Sequence, residues 1–175
     1  TRKDGDNMID FNQFKEHVVI PTLKYLDSEM PYSEEAVDLL MMTCAHESIG
    51  GTYLRQKGMT GMTGAFGVYQ MELATHDDIW YNYIEYNALT EKLIEALLVD
   101  YRAEVTHPLI TNLAYATAMA RVHYWRVAEA LPSKDDTTYA YMSKLGEYAK
   151  KYYNTPLGKA TSSKYVTDYF VWRES

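Results

Sequence analysis

The segment AVDLLMMTCAHESIGG, residues 36–51, decides the fold because it joins a long apolar run to one acid and a glycine pair. Residues 36–45 are apolar nearly all round, which predicts a helix buried at the centre of a domain. Ser33 is a suitable N-cap before this helix, and the glycine pair at 50–51 ends it. The chain is therefore organised around one central helix whose last turn carries a carboxylate.

That carboxylate is Glu47, and its setting predicts a role in proton transfer. A carboxylate at the end of an apolar helix must be partnered, exposed at a cleft or kept partly protonated, and a general acid needs the last state. Five glycines follow between residues 51 and 67. Such a run predicts a loop or short β-hairpin whose backbone comes close to another group. We expect Glu47 to lie in a cleft beside this glycine-rich segment.

The rest of the chain predicts further helices and no other strands, so the class is mainly α. Apolar residues recur at helical spacing in each of them. The predicted helices span residues 11–26 with a kink or break at Pro21, residues 89–105, residues 109–131, a segment from Asp135 or Asp136 to about Tyr152, and residues 162–172.

Length, composition and charge narrow the classes of function. A chain of 175 residues with 47% hydrophobic residues fits one domain, residues 1–175, and its start at Thr1 leaves room for a longer parent protein. The net charge of −7 argues against a nucleic-acid partner. No apolar run approaches the roughly 20 residues that span a bilayer. The lone Cys44 is expected to be a small buried hydrophobe.

Four motifs occur in the order seen in the soluble lytic transglycosylase group of the lysozyme-like superfamily. They are ES at 47–48, GVYQ at 67–70, Asn112 opening a helix of small residues, and YYNTPLG at 152–158. The group's own pattern is Glu-Ser, Gly-Leu-Met-Gln, a helix opened by Asn, and Ala-Tyr-Asn-x-Gly. The chain resembles this group over about residues 36–160, and its last motif resembles phage-encoded members. It departs from the group in the middle of the second motif and at the first residue of the last one.

The resemblance implies a lysozyme-like fold and cleavage of peptidoglycan. The bond cut is the β-1,4 bond between N-acetylmuramic acid and N-acetylglucosamine, and the product ends in a 1,6-anhydro sugar. Glu47 is then the general acid that protonates the leaving oxygen and afterwards the base that accepts the proton of the sugar's 6-hydroxyl.

The resemblance also implies roles for six neighbours of Glu47. Tyr153 matches the tyrosine that orients the catalytic acid, and an ordinary core position is the alternative. Ser48 matches a contact to the muramic acid, and a hydrogen bond to a helix-end carbonyl is the alternative. The remaining four are expected to bind substrate: Gly67, Tyr69, Gln70 and Asn154.

Two other functions remain open from the residues alone. Residues 48–71 contain no Asp or Glu, which favours a mechanism with one carboxylate. A hydrolytic muramidase would use the same Glu47 with a second acid such as Glu72 or Asp77. The third reading is a virion structural or glycan-binding protein that has the fold without turnover.

No metal or other cofactor is expected. A zinc protease motif that began at His46 would need a second histidine at position 50, which is Gly50. The expected partners are peptidoglycan glycan strands, with other phage virion proteins as further candidates. The expected location is a phage virion, as a tail or internal protein, acting in the host cell wall or periplasm.

Overall fold

Helices make up most of the described residues, and the strands there form one short hairpin. The computed structural model describes residues 7–98, 106–135, 137–154 and 158–175. The helices are α1 (Phe11–Phe14), α2 (Ile20–Tyr25), α3 (Glu34–Glu47), α4 (Leu73–Asn82), α5 (Ala88–Ala96), α6 (Pro108–Thr111), α7 (Leu113–Trp125), α8 (Thr138–Tyr152) and α9 (Ser162–Glu174). Strands β1 (Ala65–Phe66) and β2 (Met71–Glu72) pair antiparallel. The mainly α class is confirmed, and so is a short hairpin in the glycine-rich region.

Helix α3 is the centre of the fold, as its composition predicts. Every side chain from residue 36 to residue 45 is buried, and helices α7, α8 and α9 all pack against it. The buried residues include one charged side chain, Asp38. Its carboxylate accepts a hydrogen bond from the Tyr141 hydroxyl at 2.8 Å and lies 3.2 Å from the Lys134 ammonium. These partners compensate for the burial of the charge.

Pro21 does not break the first predicted helix. Instead, α1 and α2 are joined by a π-helical turn, Lys15–Val19, that ends just before the proline. Proline has no backbone N–H and its ring crowds the carbonyl four residues earlier, so the wider turn accommodates it within one continuous helical segment.

The helix predicted over residues 109–131 is two helices. Asn112 has an extended backbone, and its side chain accepts a hydrogen bond from the Tyr115 amide at 2.9 Å. This N-cap separates α6 from α7, because the side chain takes over a bond that a continuous helix would make through its backbone. Helix α7 then ends at Trp125, earlier than predicted. The second half of the helix predicted over 89–105 lies outside the described residues.

Among the described residues, nearly all buried apolar side chains belong to one hydrophobic cluster, which includes Phe11 and Trp172. Cys44 belongs to this core, as expected. None of the helices in the described parts of the chain is long and apolar enough to cross a bilayer.

Candidate active site

The end of α3 places Glu47 at the wall of a cleft. Three consecutive residues after Ser48 have positive φ angles, and they turn the chain away from the helix axis. Gly50 is required here, since a Cβ atom on it would lie 2.7 Å from the Trp172 indole nitrogen. The Gly50 carbonyl also accepts a hydrogen bond from the Ile9 amide at 2.9 Å. Packing on both sides therefore fixes the point at which α3 stops.

The Glu47 carboxyl is largely enclosed, and one tyrosine holds it. The Tyr165 hydroxyl donates a hydrogen bond to Oε1 of Glu47 at 2.8 Å. Burial raises the pKa of the Glu47 carboxyl above its usual value, and the Tyr165 hydrogen bond and the neighbouring His46 oppose this rise less strongly. A carboxyl with a raised pKa keeps its proton to higher pH, which is the property of a general acid.

A second layer of side chains holds Tyr165. The His46 ring packs against the Tyr165 ring with 3.9 Å between centroids. Nδ1 of His46 lies 2.8 Å from Oδ2 of Asp168, and the Lys164 ammonium lies 2.5 Å from Oδ1 of the same carboxylate. Glu47 and His46 come from α3, whereas the other three residues come from α9. The site therefore depends on how α3 and α9 pack together.

The cleft beside Glu47 has a volume of about 390 Å³ and a mixed polar and apolar wall. Its wall is formed by Glu47, Gln56, Ala65, Gln70, Met71, Glu72, Thr75, His123, Tyr153 and Asn154. The structure thus brings four of the predicted site residues together at one cleft: Glu47, Gln70, Tyr153 and Asn154.

Tyr153 lies in the cleft wall, but its hydroxyl points to the backbone. It donates a short hydrogen bond to the Tyr69 carbonyl oxygen. Its ring packs edge-on against His123, with 5.2 Å between centroids, and at a tilt of 30° against Tyr124, with 5.5 Å between centroids. Within the described residues, the hydroxyl that bonds Glu47 is that of Tyr165. The tyrosine hydroxyl that contacts the Glu47 carboxyl in this structure is therefore not that of Tyr153, which instead bonds the backbone of the cleft wall.

Gln70 and Asn154 present polar groups to the cleft. Gln70 has a positive φ of 47°, and its side-chain amide donates to the Gly67 carbonyl at 2.9 Å. The Asn154 side chain interacts with the Tyr165 hydroxyl. Asn154 therefore lines the cleft and also contacts Tyr165, the residue whose hydroxyl bonds Glu47.

Gly67 and Tyr69 lie behind the cleft wall. A Cβ atom on Gly67 would lie 1.9 Å from the Leu109 carbonyl oxygen, and φ is 79°, so the glycine allows the hairpin to pack on α6. Tyr69 is buried, and its hydroxyl lies 2.9 Å from Oγ1 of Thr117. The close approach predicted for Gly67 is thus made to the protein's own backbone.

Ser48 is also buried, and its hydroxyl serves the end of α3. It donates to the Cys44 carbonyl at 3.1 Å and accepts from the Gly51 amide at 2.9 Å. The hydroxyl does not form part of the cleft wall. Ser48 was expected either to contact the muramic acid or to bond a carbonyl at the helix end, and the observed hydrogen bond is the second of these.

The two candidates for a second acid have different positions. Glu72, at the end of β2, is exposed and lines the cleft with Glu47. Asp77 lies outside the cleft wall, and its carboxylate is 2.9 Å from Nδ1 of His76. The described residues contain no cluster of three His, Cys, Asp or Glu side chains that could hold a metal ion.

His123 is a cleft residue that the sequence reasoning missed. Its Nε2 lies 3.1 Å from the Tyr152 carbonyl oxygen, and burial lowers the pKa of the imidazole to about 4. The ring is therefore neutral at physiological pH, and the carbonyl selects the tautomer with the proton on Nε2. Tyr165 was missed as well, because nothing distinguishes one of 17 tyrosines before α9 is packed on α3.

Comparison with models of protein families, with curated proteins and with solved structures finds no match to this chain.

Proposed function

We propose that the protein is a peptidoglycan lytic transglycosylase with a lysozyme-like fold and that Glu47 is its general acid and base. The observation that carries the proposal is the state of Glu47: a largely buried carboxyl with a raised pKa at the wall of a cleft. A glycosidic oxygen is a poor leaving group until it is protonated, so a carboxylic acid in this position has a defined task.

The first step transfers the Glu47 proton to the bridging oxygen of the glycosidic bond. The bond between that oxygen and the anomeric carbon breaks, and its electron pair stays with the oxygen. The N-acetyl group of the muramic acid assists this departure, as the resemblance to transglycosylases implies. The Tyr165 hydroxyl stabilises the carboxylate that Glu47 becomes, since it donates to Oε1.

The second step closes the anhydro ring. The 6-hydroxyl of the same muramic acid attacks the anomeric carbon, and the Glu47 carboxylate accepts the hydroxyl proton. Glu47 returns to its protonated state, so no water is consumed and one carboxyl serves both steps. In this proposal Gln70 and Asn154, which line the same cleft, bind sugar or peptide groups during these steps.

Hydrolysis is the second candidate because Glu72 lines the same cleft. In an inverting glycosidase the second carboxylate activates a water molecule on the opposite face of the sugar, and Glu72 would have this role. A muramidase built on Glu47 and Glu72 would leave a reducing muramic acid end.

The resemblance to phage-encoded transglycosylases also suggests the biological setting. In this proposal the protein is a phage virion protein that acts on the host cell wall.

Mass spectrometry of the products released from purified sacculi tests the proposal. Transglycosylation predicts anhydro-muropeptides from the wild type and from Glu72→Gln. Hydrolysis predicts reducing ends from the wild type and their loss in Glu72→Gln, with Asp77→Asn as the matched control outside the cleft. Binding to sacculi without any released fragment would contradict both and support a glycan-binding or structural protein.

A further inference from the structure

A buried arginine on α7 has no carboxylate partner in the described part of the chain. Arg121 is 4% exposed. In each ion pair between described residues the basic partner is a residue other than Arg121. A charged side chain is rarely buried without an opposite charge, because water no longer compensates it. The other buried charge discussed above, Asp38, does have such a partner.

The hydrogen-bond donors of Arg121 are also incompletely used. Nη2 donates to the Pro31 carbonyl at 3.3 Å, which is a long hydrogen bond. Nε is buried and has no hydrogen-bond partner. The guanidinium lies over the Trp125 ring, 5.2 Å from its centroid. The indole stabilises the cation only in part, since a ring face carries no full negative charge.

Arg121 forms part of the wall of a cavity of about 240 Å³ that is separate from the Glu47 cleft. The rest of the wall is mostly apolar and aromatic: Tyr124, Trp125, Val127, Ala128, Glu129, Ala130, Leu131 and Tyr148. Its one carboxylate, on Glu129, already accepts hydrogen bonds from Lys151 and Tyr152. The wall thus combines one arginine, whose buried Nε has no hydrogen-bond partner, with a surface that is otherwise suited to apolar groups.

A second cavity of about 360 Å³ lies beside the first. The two share Glu129, Ala130 and Tyr148 in their walls. The second cavity adds polar side chains, among them Lys144 and Glu147.

We propose that this cavity binds a small carboxylate with a short apolar substituent, such as the C-terminal end of a short peptide. The carboxylate pairs with Arg121, whose planar fork suits a two-oxygen acceptor. Trp125, Tyr148 and Leu131 cover the apolar substituent. The ligand supplies the negative charge that the described chain does not. This site is independent of the proposed chemistry at Glu47, which lies in a different cavity.

Titration with N-acetylalanine and with N-acetylalaninamide tests this site. The indole N–H signal of Trp125, assigned with Trp125→Phe, reports occupancy by NMR. The acid is expected to shift this signal with a dissociation constant on the order of 1 mM, as suits a ligand of about ten heavy atoms. The amide has the same size without the charge, and its affinity should be at least about tenfold lower.

Two variants assign the effect to Arg121. Arg121→Met should abolish the shift caused by the acid. Arg126→Met is the matched control, because it removes an arginine from the end of the same helix. Arg126 lies outside the cavity wall, and its Nη1 is 2.7 Å from Oδ2 of Asp78. If Arg121→Met does not fold, the comparison of acid and amide on the wild type decides alone. Equal shifts with acid and amide, no shift at Trp125 at all, or unchanged binding by a folded Arg121→Met protein would each overturn the proposal.

Discussion

Removing the Tyr165 hydroxyl tests the structural account of Glu47. In Tyr165→Phe the carboxylate loses the hydrogen bond that its Oε1 accepts at 2.8 Å. A hydrogen bond to a charged group contributes roughly 1.5–3 kcal/mol. One pKa unit corresponds to about 1.36 kcal/mol, so the Glu47 pKa should rise by about 1–2 units above its already raised value. The direction is upward because Tyr165 stabilises the ionised form.

The assay is a ¹³C NMR titration of the Glu47 carboxyl in the wild type and in Tyr165→Phe, with the signal assigned by its loss in Glu47→Gln. Tyr169→Phe is the matched control, since it removes a hydroxyl one turn later on α9 that makes no hydrogen bond to Glu47. The alkaline limb of any glycan-cleaving activity should move upward with the pKa, while the maximal rate falls. An unchanged or lowered Glu47 pKa in Tyr165→Phe would refute this reasoning.

Three further substitutions test the site and its scaffold by urea unfolding. The pKa of Glu47 is higher in the folded chain than in the unfolded chain. At pH values between these two pKa values the unfolded chain binds fewer protons, so the free energy of unfolding falls as pH rises through that range. Glu47→Gln should therefore exceed the wild type in stability at about pH 8 and not at about pH 4; equal differences at both pH values would contradict this. Gly67→Ala should cost about 2 kcal/mol or more, because its Cβ meets the Leu109 carbonyl at 1.9 Å in a left-handed backbone, and a cost below about 0.5 kcal/mol would show that the contact relaxes freely. Asp38→Ala should cost about 2–3 kcal/mol, since Tyr141 loses its buried acceptor, and a neutral effect would mean that the pairing has no net value.

Local sequence signals predict the scaffold of the site well. Each of these signals acts on backbone only a few residues away. They are the apolar run of residues 36–45, the glycines after it and the capping side chain of Asn112. These signals place a carboxylate at the end of a buried helix beside a short hairpin, and the structure has both.

The contacts within the site are less predictable, because they join distant segments. Tyr165 meets Glu47 across 118 residues, and its hydroxyl replaces the one expected from Tyr153. Ser48 and Tyr69 were expected in the cleft, but both side chains are buried behind it. Which of the two occurs depends on the face of the turn or hairpin that points inward. The sequence pattern of residues 48–70 does not distinguish those faces, since it lacks the regular alternation of a long strand.

The most direct test of the central claim is the release of soluble muropeptides from purified sacculi by the wild type and by Glu47→Gln. The matched control is Glu95→Gln, which neutralises an exposed carboxylate on α5 away from the cleft. We expect release by the wild type and by the control, and a loss of at least about a hundredfold in Glu47→Gln, since general acid catalysis contributes that much. Equal release by all three proteins, with Glu47→Gln folded, would show that Glu47 is not the acid.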